Sequence, residues 1–226
     1  MLQINSLTLN LGKKTILDQL NLTLASGERA LLTAPNGGGK TSLLRGIMNY
    51  YSNYTGEIFI NNFNSQQLES RARARIVGYL PQALRLDFSI TVAQFLNLSL
   101  YPLTGLVERK KAQVDLTDLI IRAEIEQLLH LRIQDLSLGQ QRLICLIATL
   151  ITKPRLLLLD EPQNYLDSQK KALVETMLEQ FYQEQGCTIL EVSHDPQALT
   201  RCDWKILNLA DLQNSAIGLE NSGVNY

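Results

Sequence analysis

Apolar and polar residues alternate in two stretches near the start of the chain. In the first, apolar side chains recur with a period of two over residues 2–9, and in the second over residues 20–24. Between them, Gly12 and two lysines have the composition of a turn. A period of two is typical of strands with one buried face, so the sequence predicts a pair of antiparallel strands here.

Further along, the apolar residues come in short continuous runs rather than in alternation. The run Leu156–Leu159 is typical of a parallel strand that is covered on both faces. Further strands are predicted at Arg29–Thr33, Glu57–Ile60, Ile76–Leu80 and Thr188–Val192. Strands that alternate with helices favour an α/β fold with a parallel sheet.

Most of the remaining chain is predicted to form helices. The segment from about 83 to 135 is rich in Leu, Gln and Glu and lacks strand alternation, so we expect a helical lobe with helices near 91–101 and 115–130. Other helices are expected at 40–50, at 137–152 before Pro154, and around Leu173, Met177 and Phe181.

Composition narrows the class of protein. The 226 residues are 45% apolar and 19% charged with a formal net charge of −1, which fits one globular domain and gives no sign of non-specific binding to nucleic acid. Cys145, Cys187 and Cys202 have no paired spacing, so neither a disulfide framework nor a zinc site is expected. No apolar run is long enough to span a bilayer and no signal peptide is evident. We therefore expect a cytoplasmic protein that reaches a membrane only through a partner.

The strongest chemical signal is a glycine-rich loop between a predicted strand and a predicted helix. Glycines let backbone N–H groups approach a triphosphate, and the positive end of the following helix dipole faces the phosphates. This context predicts a phosphate-binding loop. The candidate binding residues are Asn36, Gly37, Gly38, Gly39, Lys40, Thr41 and Ser42.

Two residues of this loop have distinct predicted roles. Lys40 is expected to reach the β and γ phosphates, and the Thr41 hydroxyl is expected to hold Mg²⁺. An ordinary Asn-Gly turn before a helix is the alternative, and the Lys-Thr pair directly after Gly39 argues against it. The usual pattern begins with glycine, whereas this chain has Ala34, which would weaken binding if the position required a positive φ.

A second signal is a pair of acidic residues at the end of the Leu156–Leu159 strand. Ligands of open α/β sheets bind at the carboxyl ends of the strands. Asp160 is therefore a candidate ligand for Mg²⁺, and Glu161 a candidate base that orients or deprotonates the attacking water. A solvated acidic turn is the alternative for this pair on its own.

With these two signals, the segment Leu-Ser-Leu-Gly-Gln at 136–140 makes the resemblance specific, since it is similar to the LSGGQ signature of ABC transporter nucleotide-binding subunits. The whole chain resembles such a subunit. The resemblance implies a P-loop NTPase of the ABC type, with a parallel core sheet, an antiparallel β subdomain and an inserted helical subdomain. It places the core and antiparallel part in 1–82 and 153–226, and the helical subdomain in 83–152.

In that family two subunits pair head to tail, and the signature of one closes over the ATP of the other. The resemblance implies that Ser137, Gly139 and Gln140 contact this nucleotide. Leu138 departs from the family glycine. A purely structural alternative is that Ser137 and Gln140 form a capping box at the start of a helix, and both roles can coexist.

Further positions match the family in order and spacing. Gln82 resembles the Q-loop glutamine that contacts Mg²⁺ or water, Asp167 the D-loop aspartate at the dimer seam, and His194 the switch histidine that contacts the γ-phosphate. Leu11 occupies the position where the family often stacks an aromatic ring on adenine.

The resulting hypothesis is an ATPase subunit that binds ATP and Mg²⁺, pairs with a second ABC subunit, and drives transport through separate integral membrane subunits. Two alternatives stay open. One is a soluble ABC ATPase acting on the ribosome, on DNA or in cofactor assembly, although one cassette without a coiled-coil insertion favours transport. The other is a degenerate regulatory cassette, which the departures at Leu11, Ala34 and Leu138 would suit.

Overall fold

The computed structural model describes residues 1–83, 86–87, 89–193, 201 and 203–214. The chain divides into two compact units, one formed by Met1–Glu69 with Thr188–Tyr226 and the other by Ser70–Cys187. The boundary of a helical subdomain at 83–152 remains a prediction. Among the described residues, no helix combines the length and the apolar character that crossing a bilayer requires.

Strands and helices follow one another along the described chain. The strands are β1 (Leu2–Leu11), β2 (Lys14–Leu24), β3 (Arg29–Thr33), β4 (Tyr54–Ile60), β5 (Phe63–Asn64), β6 (Val77–Leu80), β7 (Leu156–Asp160), β8 (Thr188–Val192) and β9 (Lys205–Asn208). The helices are α1 (Lys40–Ile47), α2 (Ser70–Ile76), α3 (Val92–Leu98), α4 (Leu106–Arg122), α5 (Leu138–Leu150), α6 (Ser168–Gln185) and α7 (Leu209–Asn214).

In the first unit, an antiparallel sheet has the strand order β2-β1-β4-β5. Leu2 lies opposite Leu24 on one side and opposite Ile60 on the other, and all three are fully buried. The alternation therefore gives these strands a common buried face. The predicted pair of antiparallel strands is confirmed.

Parallel pairing occurs in each unit. In the first, β3 pairs in parallel with both β8 and β9, and in the second, β6 pairs in parallel with β7. Every residue of β7 and β8 is buried, and the four leucines of β7 form the continuous apolar run that is typical of a strand covered on both faces. The predicted α/β fold class is confirmed.

The helical part of the second unit differs from the prediction in its boundaries. The expected helix at 115–130 is instead α4, which begins after Gly105 and ends at Arg122. Glu124 then adopts a φ of 54°, which turns the chain out of the helix, and a short 3-10 helix follows at Glu126–Leu128. Apolar residues are spaced similarly in α4 and in the turn that follows it, so the spacing did not show where the helix ends.

The three arginines of α2 differ in burial. Arg73 is only 8% exposed, whereas Arg71 and Arg75 are exposed. The Arg71 guanidinium lies 5.1 Å from the centre of the Tyr101 ring, and Arg75 forms a 2.6 Å ion pair with Glu108. These contacts tie α2 to the segment that leads into α4.

Burial of α5 has a consequence for the pH dependence of stability. The Cys145 thiol lies inside this helix, and burial raises its pKa from 9.0 to about 12, against the opposing effect of Arg142. Between pH 9 and 12 the unfolded chain ionises this thiol while the folded protein keeps it protonated. From this group alone, the free energy of unfolding should fall by up to about 1.4 kcal/mol per pH unit in that window.

We predict that Cys145→Ala removes this pH dependence. The variant loses stability at pH 8 because it leaves a small cavity, but the difference from the parent should narrow as the pH rises from 9 to 11. Urea unfolding of both proteins across this range measures the effect. A difference that stays constant with pH would show that Cys145 does not resist ionisation.

Candidate functional site

The glycine loop connects β3 to α1 in the first unit. Gly37 has a φ of 75°, and Gly39, the residue before α1, has a φ of 99°. Both values lie in the left-handed region that favours glycine. Gly39 also packs closely on β2, because a Cβ there would lie 3.0 Å from Leu17 Cδ2. The loop thus requires glycine at these positions for both conformation and space.

Lys40 folds back over the loop that precedes it. Its Nζ donates hydrogen bonds to the carbonyl oxygens of Ala34 at 2.7 Å and Pro35 at 3.1 Å, and the residue is only 6% exposed. The neighbouring Thr41 and Ser42 are half-buried, whereas Asn36 is exposed at the tip of the loop. A buried ammonium at the amino end of a helix makes this loop a suitable place for an anion.

Ala34 does not adopt the strained backbone that would have made it unfavourable. Ala34 is not one of the described non-glycine residues that have a positive φ. Its methyl group instead lies against Gly38, where an added Cβ would be 3.1 Å from Ala34 Cβ and 2.9 Å from the Pro35 oxygen. The alanine is accommodated because position 38 carries no side chain.

Leu11 lies at the end of β1, beside the turn at Gly12. It is 41% exposed, and its partner in the antiparallel register is Lys14. An exposed apolar side chain in this hairpin is available to pack on a ligand. Its contact with adenine remains a prediction.

In the second unit, β7 ends in the two acidic residues. Asp160 is fully buried at the last position of the strand, and Glu161 follows with a φ of 51°. A non-glycine residue in this region costs about 1–3 kcal/mol and is often found at functional sites. The Asn164 side-chain amide donates a short hydrogen bond to Glu161 Oε2, which orients that carboxylate.

Gln82 emerges at the same edge of the second unit. It follows β6 after Pro81, and the parallel register pairs Leu80 with Leu159. The carboxyl ends of β6 and β7 therefore bring the exposed Gln82 near the Asp160–Glu161 pair. These three residues, which the sequence placed in one site, lie on adjoining strand ends.

The segment that resembles the signature forms the start of α5. Ser137 Oγ accepts a hydrogen bond from the Gln140 N–H at 3.3 Å, and Gln140 Oε1 accepts one from the Ser137 N–H at 2.9 Å. This capping box confirms the structural reading of the pair. Gly139 is buried against Tyr165, whose carbonyl oxygen would lie 2.8 Å from an added Cβ, whereas Leu138 is 55% exposed.

The two remaining predicted residues are Asp167 and His194. Asp167 caps α6, and its carboxylate accepts a hydrogen bond from the Lys170 N–H at 2.8 Å, which lowers the pKa of Asp167. His194 lies outside the described residues.

Comparison with known proteins identifies the family. The ABC transporter family model matches residues 17–164. The chain belongs to the ABC transporter family. It is 34% identical to the hemin import ATP-binding protein HmuV of Shewanella denitrificans, covering 86% of this chain and 78% of that protein. It is 31% identical to the zinc import ATP-binding protein ZnuC of Roseobacter denitrificans, covering 92% and 75% respectively.

Solved ABC cassettes share the fold. The dimeric cassette MJ0796 bound to ADP and phosphate has a TM-score of 0.79 and 24% identity to this chain, covering 92% of it and 94% of the cassette. The predicted ABC fold and the assignment as an ATPase are confirmed. The role of each site residue remains a prediction.

Sequence reasoning did not single out Arg142 in this part of the second unit. It is only 3% exposed, and burial lowers its pKa against the opposing charges of Asp160 and Glu161. The available signal was an arginine directly before the apolar run Leu143–Ala148 of α5. A buried arginine needs several acceptors, and those acceptors come from segments remote in sequence.

We predict that Gly38→Ala weakens ATP binding about tenfold, because the added methyl group forces the loop to shift, at a cost of the order of 1–3 kcal/mol. Isothermal titration calorimetry with ATP measures the change. Adding Ala34→Gly removes one of the two close contacts and should recover part of the affinity.

The matched control for this variant is Gly46→Ala in α1, since an added Cβ there has no neighbour within 4 Å. This variant should bind ATP like the parent. Equal affinities for Gly38→Ala and Gly46→Ala would show that the crowding around Ala34 does not shape the site.

Proposed function

We propose that this chain is the ATP-binding subunit of an ABC importer, and that it binds and hydrolyses ATP with Mg²⁺ at a head-to-tail interface between two such subunits. The hydrolysis drives transport through separate integral membrane subunits. The observation that carries the proposal is Glu161, held with a positive φ at the end of a buried strand, with its carboxylate oriented by Asn164.

The glycine loop supports ATP binding. Lys40 already donates to two loop carbonyls, so its ammonium is positioned above the backbone that would surround the phosphates. The left-handed Gly37 and Gly39 shape this loop, and the amino end of α1 adds a favourable dipole. Leu11 offers apolar surface for the base without ring stacking, so we expect weaker discrimination between nucleotides than an aromatic ring would give.

The candidate metal ligands have the chemistry that Mg²⁺ prefers. Thr41 offers a hydroxyl oxygen, Asp160 a carboxylate and Gln82 an amide oxygen. Mg²⁺ favours such hard oxygen ligands and usually keeps several waters. When bound with ATP, the ion neutralises charge on the phosphate oxygens.

Hydrolysis requires a water positioned in line with the γ-phosphate. Glu161 accepts a hydrogen bond from that water and takes its proton as the water oxygen attacks phosphorus and the bond to ADP breaks. Asn164 keeps the carboxylate from rotating away, and His194 is proposed to contact the γ-phosphate. Most of the rate enhancement then comes from positioning and from charge stabilisation by Lys40.

The start of α5 supports pairing between two subunits. Ser137 and Leu138 are exposed at the amino end of this helix, where they can meet a nucleotide bound by another copy or by a homologous subunit. Gly139 and Gln140 belong to the same turn, and Asp167 lies exposed at the start of α6. These residues form the proposed contact surface for the second subunit.

The relatives support the transport role and its direction. HmuV and ZnuC are named as import ATP-binding proteins, one for hemin and one for zinc. We therefore propose import, with the chain on the cytoplasmic side of the membrane and bound there through its membrane subunits. Nucleic acid is not a proposed partner.

We predict that Glu161→Gln keeps ATP binding but lowers kcat by at least about a hundredfold, because the amide cannot accept the proton of the attacking water. Lys40→Ala should instead weaken ATP binding by tenfold or more, through the loss of a charged contact to phosphate. Titration with a fluorescent ATP analogue and a phosphate-release assay separate the two effects.

Either variant can contradict its assignment. Near-normal turnover by Glu161→Gln would remove Glu161 from the base role, and unchanged ATP affinity of Lys40→Ala would remove Lys40 from the phosphate site. Glu175→Gln, on the exposed face of α6, is a suitable control for loss of a carboxylate.

The partner can be identified with the hydrolysis-deficient variant. We predict that Glu161→Gln, purified from its native cells with ATP after gentle solubilisation of the membranes, brings a polytopic membrane protein in stoichiometric amount, as identified by mass spectrometry. Ribosomal proteins or a soluble assembly scaffold in its place would overturn the transporter role and leave the ATPase assignment intact.

A further inference from the structure

Arg142 makes an unusual set of hydrogen bonds in the second unit. It lies in the second turn of α5 and is almost completely buried. All three guanidinium nitrogens donate to backbone carbonyl oxygens, and these oxygens belong to two separate segments of the sequence. The acceptors are Pro81, Gln82, Asp160, Glu161 and Pro162.

Two of these bonds act on the backbone of Glu161. Nη2 of Arg142 donates to the carbonyl oxygens of Asp160 and Glu161, each at 2.7 Å. These carbonyls belong to the two peptide groups on either side of the Glu161 Cα. Their orientations define φ and ψ of Glu161, so one nitrogen fixes the left-handed conformation of this residue.

Nη1 of the same side chain contacts the corresponding peptide groups around Gln82. It donates a short hydrogen bond to the Pro81 carbonyl oxygen and has a longer contact of 3.5 Å with that of Gln82. Nε donates to the Pro162 oxygen at 3.2 Å. Arg142 therefore connects the segments that follow β6 and β7, and it attaches both to α5.

Only an arginine can make this connection. Its planar guanidinium carries five donors in a fixed fork, whereas a lysine ammonium is a compact charge that meets acceptors at one point. The carbonyls lie at or just beyond the ends of β6 and β7, where the regular strand pairing stops, and buried carbonyls need hydrogen-bond donors. The guanidinium thus donates to several of these carbonyls at once, in directions that its fixed fork sets.

We propose that Arg142 is a positioning residue for ATP hydrolysis, which sets the backbone from which Gln82 and Glu161 project and ties that backbone to α5. This inference rests on the proposed function, because it takes Gln82 and Glu161 as the residues that act on the attacking water. The guanidinium of Arg142 donates to backbone carbonyls, and in the proposed role it contacts neither nucleotide nor water. Its effect is on the placement of other side chains, so it acts on the chemical step more than on ATP binding.

The test compares Arg142→Gln and Arg142→Lys with the parent in steady-state ATP hydrolysis. Misplacing a catalytic group by about 1 Å can cost a hundredfold in rate, so both variants should lower kcat at least about tenfold. KM for ATP should stay within about threefold, because the glycine loop is a separate part of the chain. Arg142→Lys tests whether positive charge alone is sufficient, and we expect it to lower kcat as well, because one ammonium cannot reach the carbonyls of both segments.

Thermal unfolding monitored by circular dichroism accompanies the kinetics, with Arg155→Gln as the control. Arg155 is exposed at the other end of β7, and its variant should keep the parent kcat and KM. If Arg142→Gln does not fold, Arg142→Lys carries the test. A kcat near the parent value in a folded variant, a rise in KM with unchanged kcat, full activity of Arg142→Lys, or failure of both variants to fold would each overturn the inference.

The same experiment separates this inference from the proposed function. A parent protein that does not hydrolyse ATP contradicts the proposed function. A parent that hydrolyses ATP, loses turnover in Glu161→Gln and keeps it in folded Arg142 variants contradicts only the positioning role.

Discussion

The site depends on one constraint, which is that backbone carbonyls leaving a buried parallel strand must find donors inside the protein. Every residue of β7 is buried, and at its end Arg142 donates to the carbonyl oxygens of Asp160 and Glu161. The Glu161 oxygen also accepts a hydrogen bond from the Asn164 N–H at 3.1 Å. The Arg142 side chain also donates to the backbone after β6. Its hydrogen bonds therefore set the position of Asp160 and Glu161 relative to Gln82.

Lys40 in the first unit and Arg142 in the second are buried cations that bind backbone carbonyls with different chemistry. Lys40 donates to two carbonyls of the glycine loop through a single ammonium, which is compact and able to exchange those acceptors for phosphate oxygens. Arg142 spreads its donors over five carbonyls, and its fork keeps them in fixed directions. Lys40, which is suited to binding a ligand, therefore donates to fewer carbonyls than Arg142, which is suited to fixing the backbone.

The sequence predicted features that depend on local pattern, and it missed those that depend on remote partners. Alternation predicted β1 and β2, and the Ser137–Gln140 spacing predicted a capping box, because neighbouring residues decide both. The end of α4 at Arg122 was misplaced, since a left-handed Glu124 leaves no apolar signature. The burial of Arg142 was not predicted, because its acceptors come from distant segments that only the fold brings near.

The departures from the family pattern fall where they leave the fold intact. Ala34 keeps an ordinary backbone conformation, and the absence of a side chain at Gly38 makes room for its methyl group. Leu138 and Leu11 are 55% and 41% exposed, so neither is needed to fill the core. Exposed side chains act on what approaches the surface, which in the proposed function is a second subunit at Leu138 and a base at Leu11. In that proposal the two leucines change affinity and selectivity, while the proposed catalytic carboxylates and the glycine loop keep their positions.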